Sequence, residues 1–267
     1  MGQAPLEGKV VVIVGGTAGL GLSGLRACLA AGARVVAVGP PTSGTQGVEA
    51  ELGGDAHLRF LQGDARDPET ARLAVARAVA EFGGFDALYH VAGGSGRAFG
   101  DGPVHELTDA GWDETLRLNL TSVFFSNRAA VEQLLKQGVP GSILNMGSVT
   151  AFSPSPRFFG THAYAAAKAG IEGFTTSAAA TYASRGIRFN VLAPGMTDTP
   201  MSRRAMGDAR ILDFVRTKQP LDGGRPGQTT DMDGAVVFFL SDASRFVTGQ
   251  VLAVDGGWSV TDGGREH

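Results

Sequence analysis

The sequence predicts an α/β fold built on one doubly wound parallel sheet. Three observations predict it. Short β-branched runs alternate with helical stretches along the whole chain, the pattern of repeated βαβ units. Several runs are apolar at consecutive positions, as expected of strands covered on both faces. The first run passes directly into a glycine-rich turn that opens a helical stretch.

In chain order, strands are expected at residues 9–14, 34–38, 58–62, 87–91, 142–146, 187–192 and 251–254. Helical stretches lie between them at 20–31, 68–82, 112–136, 162–184 and 229–240. Asp67 before Pro68 is a helix start, an acceptor at the cap followed by proline at the first helical position. No shift in composition divides the chain. One domain is therefore expected over residues 1–267, with a substrate loop at about 195–225. Ligands of such sheets sit beyond the carboxyl ends of the strands, so chemistry is sought in the loops that follow them.

Composition narrows the function classes. With 43% apolar and 18% charged residues, the chain suits a packed core rather than disorder. A net charge of −3 with no cluster of Lys or Arg argues against nucleic acid or an anionic membrane as partner. Cys28 is the only cysteine, which excludes an intramolecular disulfide and a cysteine-rich metal site; no metal is expected. The first apolar run, Val10 to Val14, is too short for a signal segment or a membrane span, and a cytoplasmic setting is expected. The 40 glycines gather in short clusters after strands, where turns and ligand loops belong.

Those clusters mark the site. "VGGTAGLGLSGL" follows the first strand, with Gly15, Gly19 and Gly21 spaced G-x-x-x-G-x-G. The helix after it offers free N–H groups and a positive dipole end to a pyrophosphate. "GDAR" follows the third strand, where Asp64 could accept from an adenine amino group while the Ala65 N–H donates to the ring. "VAGG" follows the fourth, and its Ala92 and Gly93 allow close approach of a cofactor.

"HAYAAAKAG", residues 162–170, sets Tyr164 and Lys168 one helical turn apart on the same face. The alanines between them favour helix and leave room for a cofactor. A cation about 4 Å from a phenol favours phenolate by roughly 4 kcal/mol at an effective dielectric of about 20. That could lower a pKa of about 10 by up to about 3 units, towards neutrality. A Tyr–His or Ser–His reading of His162 is set aside, since no third group orients it, and His90 is read as a strand-end packing or hydrogen-bonding residue.

The glycine turn, "LNL" around Asn119, "GS" at 147–148, "YAAAK", "PGMTDTPM" at 194–201 and "TGQVLAVDGGW" occur in the order of the short-chain dehydrogenase/reductase family. The chain resembles that family over nearly its whole length. The resemblance implies a Rossmann-type fold, a nicotinamide cofactor, hydride transfer between a small-molecule alcohol and a carbonyl, and a homotetramer. It implies that Tyr164 is the acid/base, that Lys168 supports it and holds the nicotinamide ribose, that Ser148 orients the carbonyl, and that Asn119 holds a water of the proton relay. It gives Gly15, Thr17, Gly19, Leu20 and Gly21 to the pyrophosphate, Asp64 and Ala65 to adenine, and Ala92 and Gly93 to the cofactor's close approach. Pro194, Gly195, Thr197 and Thr199 fall near the carboxamide.

The chain departs from the family pattern in four places. Val14 stands where a threonine is usual, and His90-Val91 replaces a pair of asparagines. The spacing from Ser148 to Tyr164 is a few residues longer than usual. The second strand ends in Gly39, followed by Pro40, Pro41, Thr42 and Ser43, where NAD enzymes of the family carry an acid. Ala18 and Pro40 fill the positions where NADP enzymes carry Arg or Lys. No acid repels a 2′-phosphate and Thr42 and Ser43 could hydrogen-bond one, so of NAD and NADP the reading leans to NADP(H).

The substrate pocket is read from Ser95, Arg97, Phe152, Phe158, Phe159, Met196 and Met201. Phe158 and Phe159 are expected to line it, with Arg157 at its mouth. Two other function classes stand beside the dehydrogenase. A non-catalytic regulatory or scaffold protein would keep the fold and the cofactor without turnover. An enoyl reductase would act on C=C, although such relatives space tyrosine and lysine further apart.

Overall fold

The computed structural model describes residues 3–264. Its strands are β1 (Val10–Val14), β2 (Arg34–Gly39), β3 (Leu58–Gln62), β4 (Ala87–His90), β5 (Gly141–Met146), β6 (Ile187–Pro194) and β7 (Val251–Val254). They form one parallel sheet in the order β3-β2-β1-β4-β5-β6-β7. The helices are α1 (Gly19–Ala30), α2 (Ser43–Leu52), α3 (Pro68–Phe82), α4 (Asp109–Leu116), α5 (Ser122–Gln137), α6 (His162–Tyr182), α7 (Arg203–Met206), α8 (Ala209–Lys218) and α9 (Asp233–Leu240).

The consecutive apolar runs are explained by a core on each face. Val11 and Ile13 of β1 face one layer with Leu25 and Cys28 of α1 and Val236 and Phe239 of α9. Val10, Val12 and Val14 face the other, with Ala74 and Val75 of α3 and Ala130 and Leu134 of α5. Adjacent residues of a strand point to opposite faces, so a strand with helices on both sides must be apolar throughout.

The strand order reverses between β1 and β4. Val91 and Ala92 N–H groups both donate to the Val14 carbonyl at 2.9 Å. The two strand ends are so close that a Cβ on Gly15 would lie 2.6 Å from the Ala92 nitrogen, and Gly15 has φ +94°. Such a switch point leaves a crevice beyond the strand ends.

Several boundaries differ from the expected elements, among them the 229–240 helix, which opens as a 3-10 turn at Thr229–Met232. The stretch 112–136 is broken: α4 passes into a π-helical turn, Arg117–Thr121, before α5. Such turns leave no mark of residue type comparable to proline. Residues 43–52 form α2 despite Gly44 and Gly47; Thr42 caps it, accepting from Thr45 N. The expected loop at about 195–225 contains α7 and α8, whose Ile211 and Val215 pack in a small core with Met196 and Trp258. The expected 162–184 helix ends at Tyr182 and continues as a 3-10 turn. Asp67 accepts from Glu69 N at 2.9 Å, the start expected for α3.

Helix α6 carries Tyr164 and Lys168, and its start is held from a distance. Thr161 at its cap makes no side-chain bond there. The Asp101 carboxylate instead accepts from Ala163 N at 3.0 Å and Tyr164 N at 2.9 Å. A carboxylate on a helix N-terminus also meets the positive end of the dipole. Asp101→Ala is expected to lower stability by about 1–2 kcal/mol. Urea midpoints at unchanged slope check this, and a shift near zero would show that water replaces the cap at no cost.

Candidate functional site

A cleft of about 750 Å³ opens beyond the strand ends at the switch point. Gly15, Thr17, Gly19 and Leu20 line it after β1, and Gly39 and Pro40 after β2. Asp64 and Ala65 follow from β3, and Ala92, Gly93, Ser95 and Arg97 from β4. Ser148, Tyr164, Lys168, Pro194, Gly195, Met196, Thr197, Thr199 and Met201 complete the expected set that it brings together.

The glycine turn fits a dinucleotide. Ala18 caps α1 without a side-chain hydrogen bond, and no acid occupies the first turn. The N–H groups at this helix start are therefore open to an anion. Gly21 does not line the cleft; its Cβ would lie 1.9 Å from the Gly15 carbonyl oxygen, so it closes the turn beneath the binding surface. A cleft of this volume lies within the range of small-molecule sites.

After β3, Asp64 is already engaged. Arg66 reaches both its oxygens, with Nη2 at 2.7 Å from Oδ2, and holds its carboxyl below the usual range. At the end of β2, a Cβ on Gly39 would stand 2.1 Å from Thr17 Oγ1, which itself lies 3.0 Å from Thr45 Oγ1. An acid at position 39 is therefore sterically incompatible with Thr17 where it stands. Thr42 is spent on capping α2, and the Ser43 side chain lies outside the described part of the structure.

Lys168 is buried and donates from Nζ to the Met146 carbonyl at 2.8 Å. Burial pulls its ammonium down to about 7. Nζ lies 5.5 Å from the centroid of the Tyr164 ring, so the one-turn spacing does bring the two together. The expected drop in the phenol's pKa is not seen: burial pushes Tyr164 up to about 12, opposed by a hydrogen bond with Ser148. Desolvation wins because the cation sits over the ring face and is itself weakened by burial.

Ser148 caps the short 3-10 turn Val149–Ala151. Its Oγ accepts from Thr150 N at 3.2 Å and Thr150 Oγ1 at 2.9 Å. Asn119 sits in the π turn and does not line the cleft. Its Oδ1 accepts from Gly94 N at 3.1 Å and its Nδ2 donates to the Gly94 and Thr115 carbonyls. It fixes the floor under Gly93, where a Cβ would meet Asn119 Oδ1 at 2.7 Å and Lys168 Nζ at 3.6 Å. His90 is a buried hydrogen-bonding residue, as expected, with Ser126 Oγ at 2.7 Å and Ser122 Oγ at 3.3 Å. Burial and the neighbouring Lys168 charge push it down to about 3, so it stays neutral.

Three expected placements are corrected. Phe158 turns away to Phe214 of α8, ring centroids 5.4 Å apart, because that helix offers an apolar surface where a loop was expected. Phe152 is exposed and does not line the cleft. Arg157 stacks over Phe158 rather than lining the mouth. Phe159 does line it, edge-on to Trp258 at 5.6 Å. Trp258 and Arg204 are pocket residues that sequence reasoning missed. Trp258 reaches the site because its indole N–H donates to the Ser153 carbonyl, a contact 105 residues apart in sequence.

Among the described residues no helix is long and apolar enough to cross a membrane. A family model described as enoyl-(acyl carrier protein) reductase matches residues 15–259. The cis-4-hydroxycyclohexanecarboxylate dehydrogenase of Sinomonas cyclohexanicum is 34% identical over 97% of this chain and 99% of its own. The 2-dehydro-3-deoxy-D-gluconate 5-dehydrogenase of Escherichia coli K12 is 35% identical over 95% and 96%. The structure of a short-chain type dehydrogenase/reductase from Mycobacterium ulcerans superposes with a TM-score of 0.87 at 28% identity, covering 96% of this chain and 91% of that one. With this parallel sheet and a cleft at its switch point, the chain belongs to the short-chain dehydrogenase/reductase family of oxidoreductases.

Proposed function

We propose that the protein interconverts an alcohol and a carbonyl compound by hydride transfer with a nicotinamide cofactor, working as one domain over the whole chain. The observation that carries this reading is the convergence of Ser148, Tyr164 and Lys168 on the cleft that also contains the glycine turn. The cofactor, when bound, supplies or accepts the hydride at the reacting carbon. Ser148 Oγ accepts twice from Thr150 and gives its one proton to the Tyr164 phenol oxygen; an entering carbonyl oxygen takes that hydrogen bond over. Tyr164, whose phenol stays protonated through neutral pH, gives its proton to that oxygen as the alcohol forms. Lys168 holds the ribose and returns a proton towards Tyr164. Asn119 supports this relay through its hold on Gly94.

Gly15, Thr17, Gly19 and Leu20 hold the pyrophosphate, Asp64 and Ala65 the adenine, and Pro194, Gly195, Thr197 and Thr199 the carboxamide end. NADP(H) is the proposed form. Its support is the exclusion of an acid from position 39 by Thr17, which leaves nothing there to repel a 2′-phosphate. A homotetramer is proposed from the apolar side chains left exposed on Trp112 and Phe124 and on Val251 and Leu252 of the edge strand β7. Light scattering at micromolar concentration that gave the mass of one 27.5 kDa chain would contradict it. The single, buried Cys28 suits a reducing cytoplasm. Enoyl reduction is named by the matched family model, and the one-turn spacing of Tyr164 and Lys168 favours the carbonyl reading over it.

Tyr164→Phe is expected to reduce kcat at least about tenfold while cofactor Kd changes little, since the ring is kept and only the proton carrier is lost. A panel of ketones, alcohols and enones with each cofactor provides the assay. Retention of most of the wild-type kcat would remove Tyr164 from the reaction, and turnover of enones alone would select the C=C reading. In the same assay kcat/KM is expected to be higher with NADPH than with NADH. A preference of about tenfold for NADH, equivalent to about 1.4 kcal/mol, would overturn the cofactor assignment.

A further inference from the structure

We infer that the substrate carries a carboxylate, held between Arg97 and Arg204, which line the cleft with Ser148 and Tyr164. The inference names the substrate class of the reaction proposed above and rests on that reading. It starts from topology. Strand β5 lies between β4 and β6, and Ser148 follows β5. Arg97 lies in the short 3-10 turn after β4, and Arg204 on α7 after β6. The two arginines therefore flank the segment that carries Ser148, one from each neighbouring strand end, and both line the cleft with Ser148 and Tyr164.

Their side chains converge. Arg97 Nη2 donates to the Phe158 carbonyl at 3.4 Å, and Arg204 Nη2 donates to the same oxygen at 3.3 Å. Phe158 belongs to the connection between Ser148 and Tyr164, so both cations are registered against the reacting end. Two guanidinium groups on one neutral oxygen repel each other. Burial and the Arg204 charge both act to lower the Arg97 pKa, with Asp101 opposing. Among the described residues neither arginine has an ion-pair partner within 4 Å. Asp101, the acid that acts on Arg97, has both oxygens committed to the start of α6.

A carboxylate supplies what this arrangement lacks. It accepts short, charge-assisted and bidentate bonds that an amide carbonyl cannot match, and it cancels the repulsion between the two cations. The same cleft is also lined by the apolar side chains of Phe159, Met196, Met201 and Trp258. The fitting molecule has a carbonyl or carbinol at one end, an apolar body, and a carboxylate at the other.

The test compares 4-oxocyclohexanecarboxylate with its methyl ester, in the wild type and in the double variant Arg97→Met/Arg204→Met, with each single variant as a check on folding. The wild-type ratio of kcat/KM for acid over ester is expected to be at least about tenfold, falling to near one in the double variant. A wild-type ratio near one, or a ratio unchanged by the double substitution, would overturn the inference. A binding measurement keeps it separate from the reaction itself. In a Trp112→Phe background, cyclohexanecarboxylate, which cannot react, should change the fluorescence of Trp258, less so at high salt, and not when Arg97→Met/Arg204→Met is added. If neither ketone turns over but the fluorescence change behaves in this way, the carboxylate site stands and the reaction is decided by the wider panel. If both ketones turn over and no fluorescence change is seen, the carboxylate site fails and the reaction stands.

Discussion

The buried ammonium of Lys168 is the constraint on which the reacting end of the site depends. A charge taken out of water needs partners, and this one has the Met146 carbonyl at 2.8 Å and the face of Tyr164. It lies beside Gly93, where a Cβ would stand 3.6 Å from Nζ and would clash with Asn119 Oδ1 at 2.7 Å. Asn119 holds that backbone in place from a π turn, a local irregularity that an uninterrupted helix would not provide. His90 stays neutral beneath the same charge, satisfied by two serines of α5. Each of these features is unfavourable or unusual alone, and together they hold one cation next to one phenol.

The sheet supplies the frame for this arrangement. Parallel strands end at one edge, and the order reversal between β1 and β4 opens the crevice. The β1 side brings the uncapped start of α1, suited to phosphate. The β4 to β6 side brings hydroxyls, the ammonium and the two arginines. The topology thus places the glycine turn on one side of the crevice and the hydroxyls, the ammonium and the two arginines on the other. Helices α7 and α8 and Trp258 then close that second side with apolar surface.

Much of this was legible in the sequence. Every expected strand is present, because strands buried on two faces write themselves as continuous apolar runs. The Tyr164–Lys168 pair was legible because helical spacing is local. What was not legible depends on contacts far apart in sequence. Asp101 caps α6 from 62 residues away, and Trp258 reaches the site through a bond spanning 105. Phe158 was misplaced because α8, hidden in a stretch of mixed polarity, gives it another surface. The Tyr164 pKa was misjudged because spacing reports a neighbouring charge but not the depth at which both groups lie.

The central claim is that Lys168 is held where burial strongly opposes its charge. Its sign in stability follows from linkage. Below about 7 the lysine is protonated folded and unfolded, and the full penalty of burial stands. Between about 7 and the ordinary value of 10.5, the folded protein releases a proton that the unfolded chain keeps, so this group's penalty eases as pH rises. The direct measurement is an NMR titration of the Lys168 side chain, assigned by its loss in Lys168→Met. The account expects a midpoint near 7. A midpoint near 10.5 would show a solvated ammonium and contradict it.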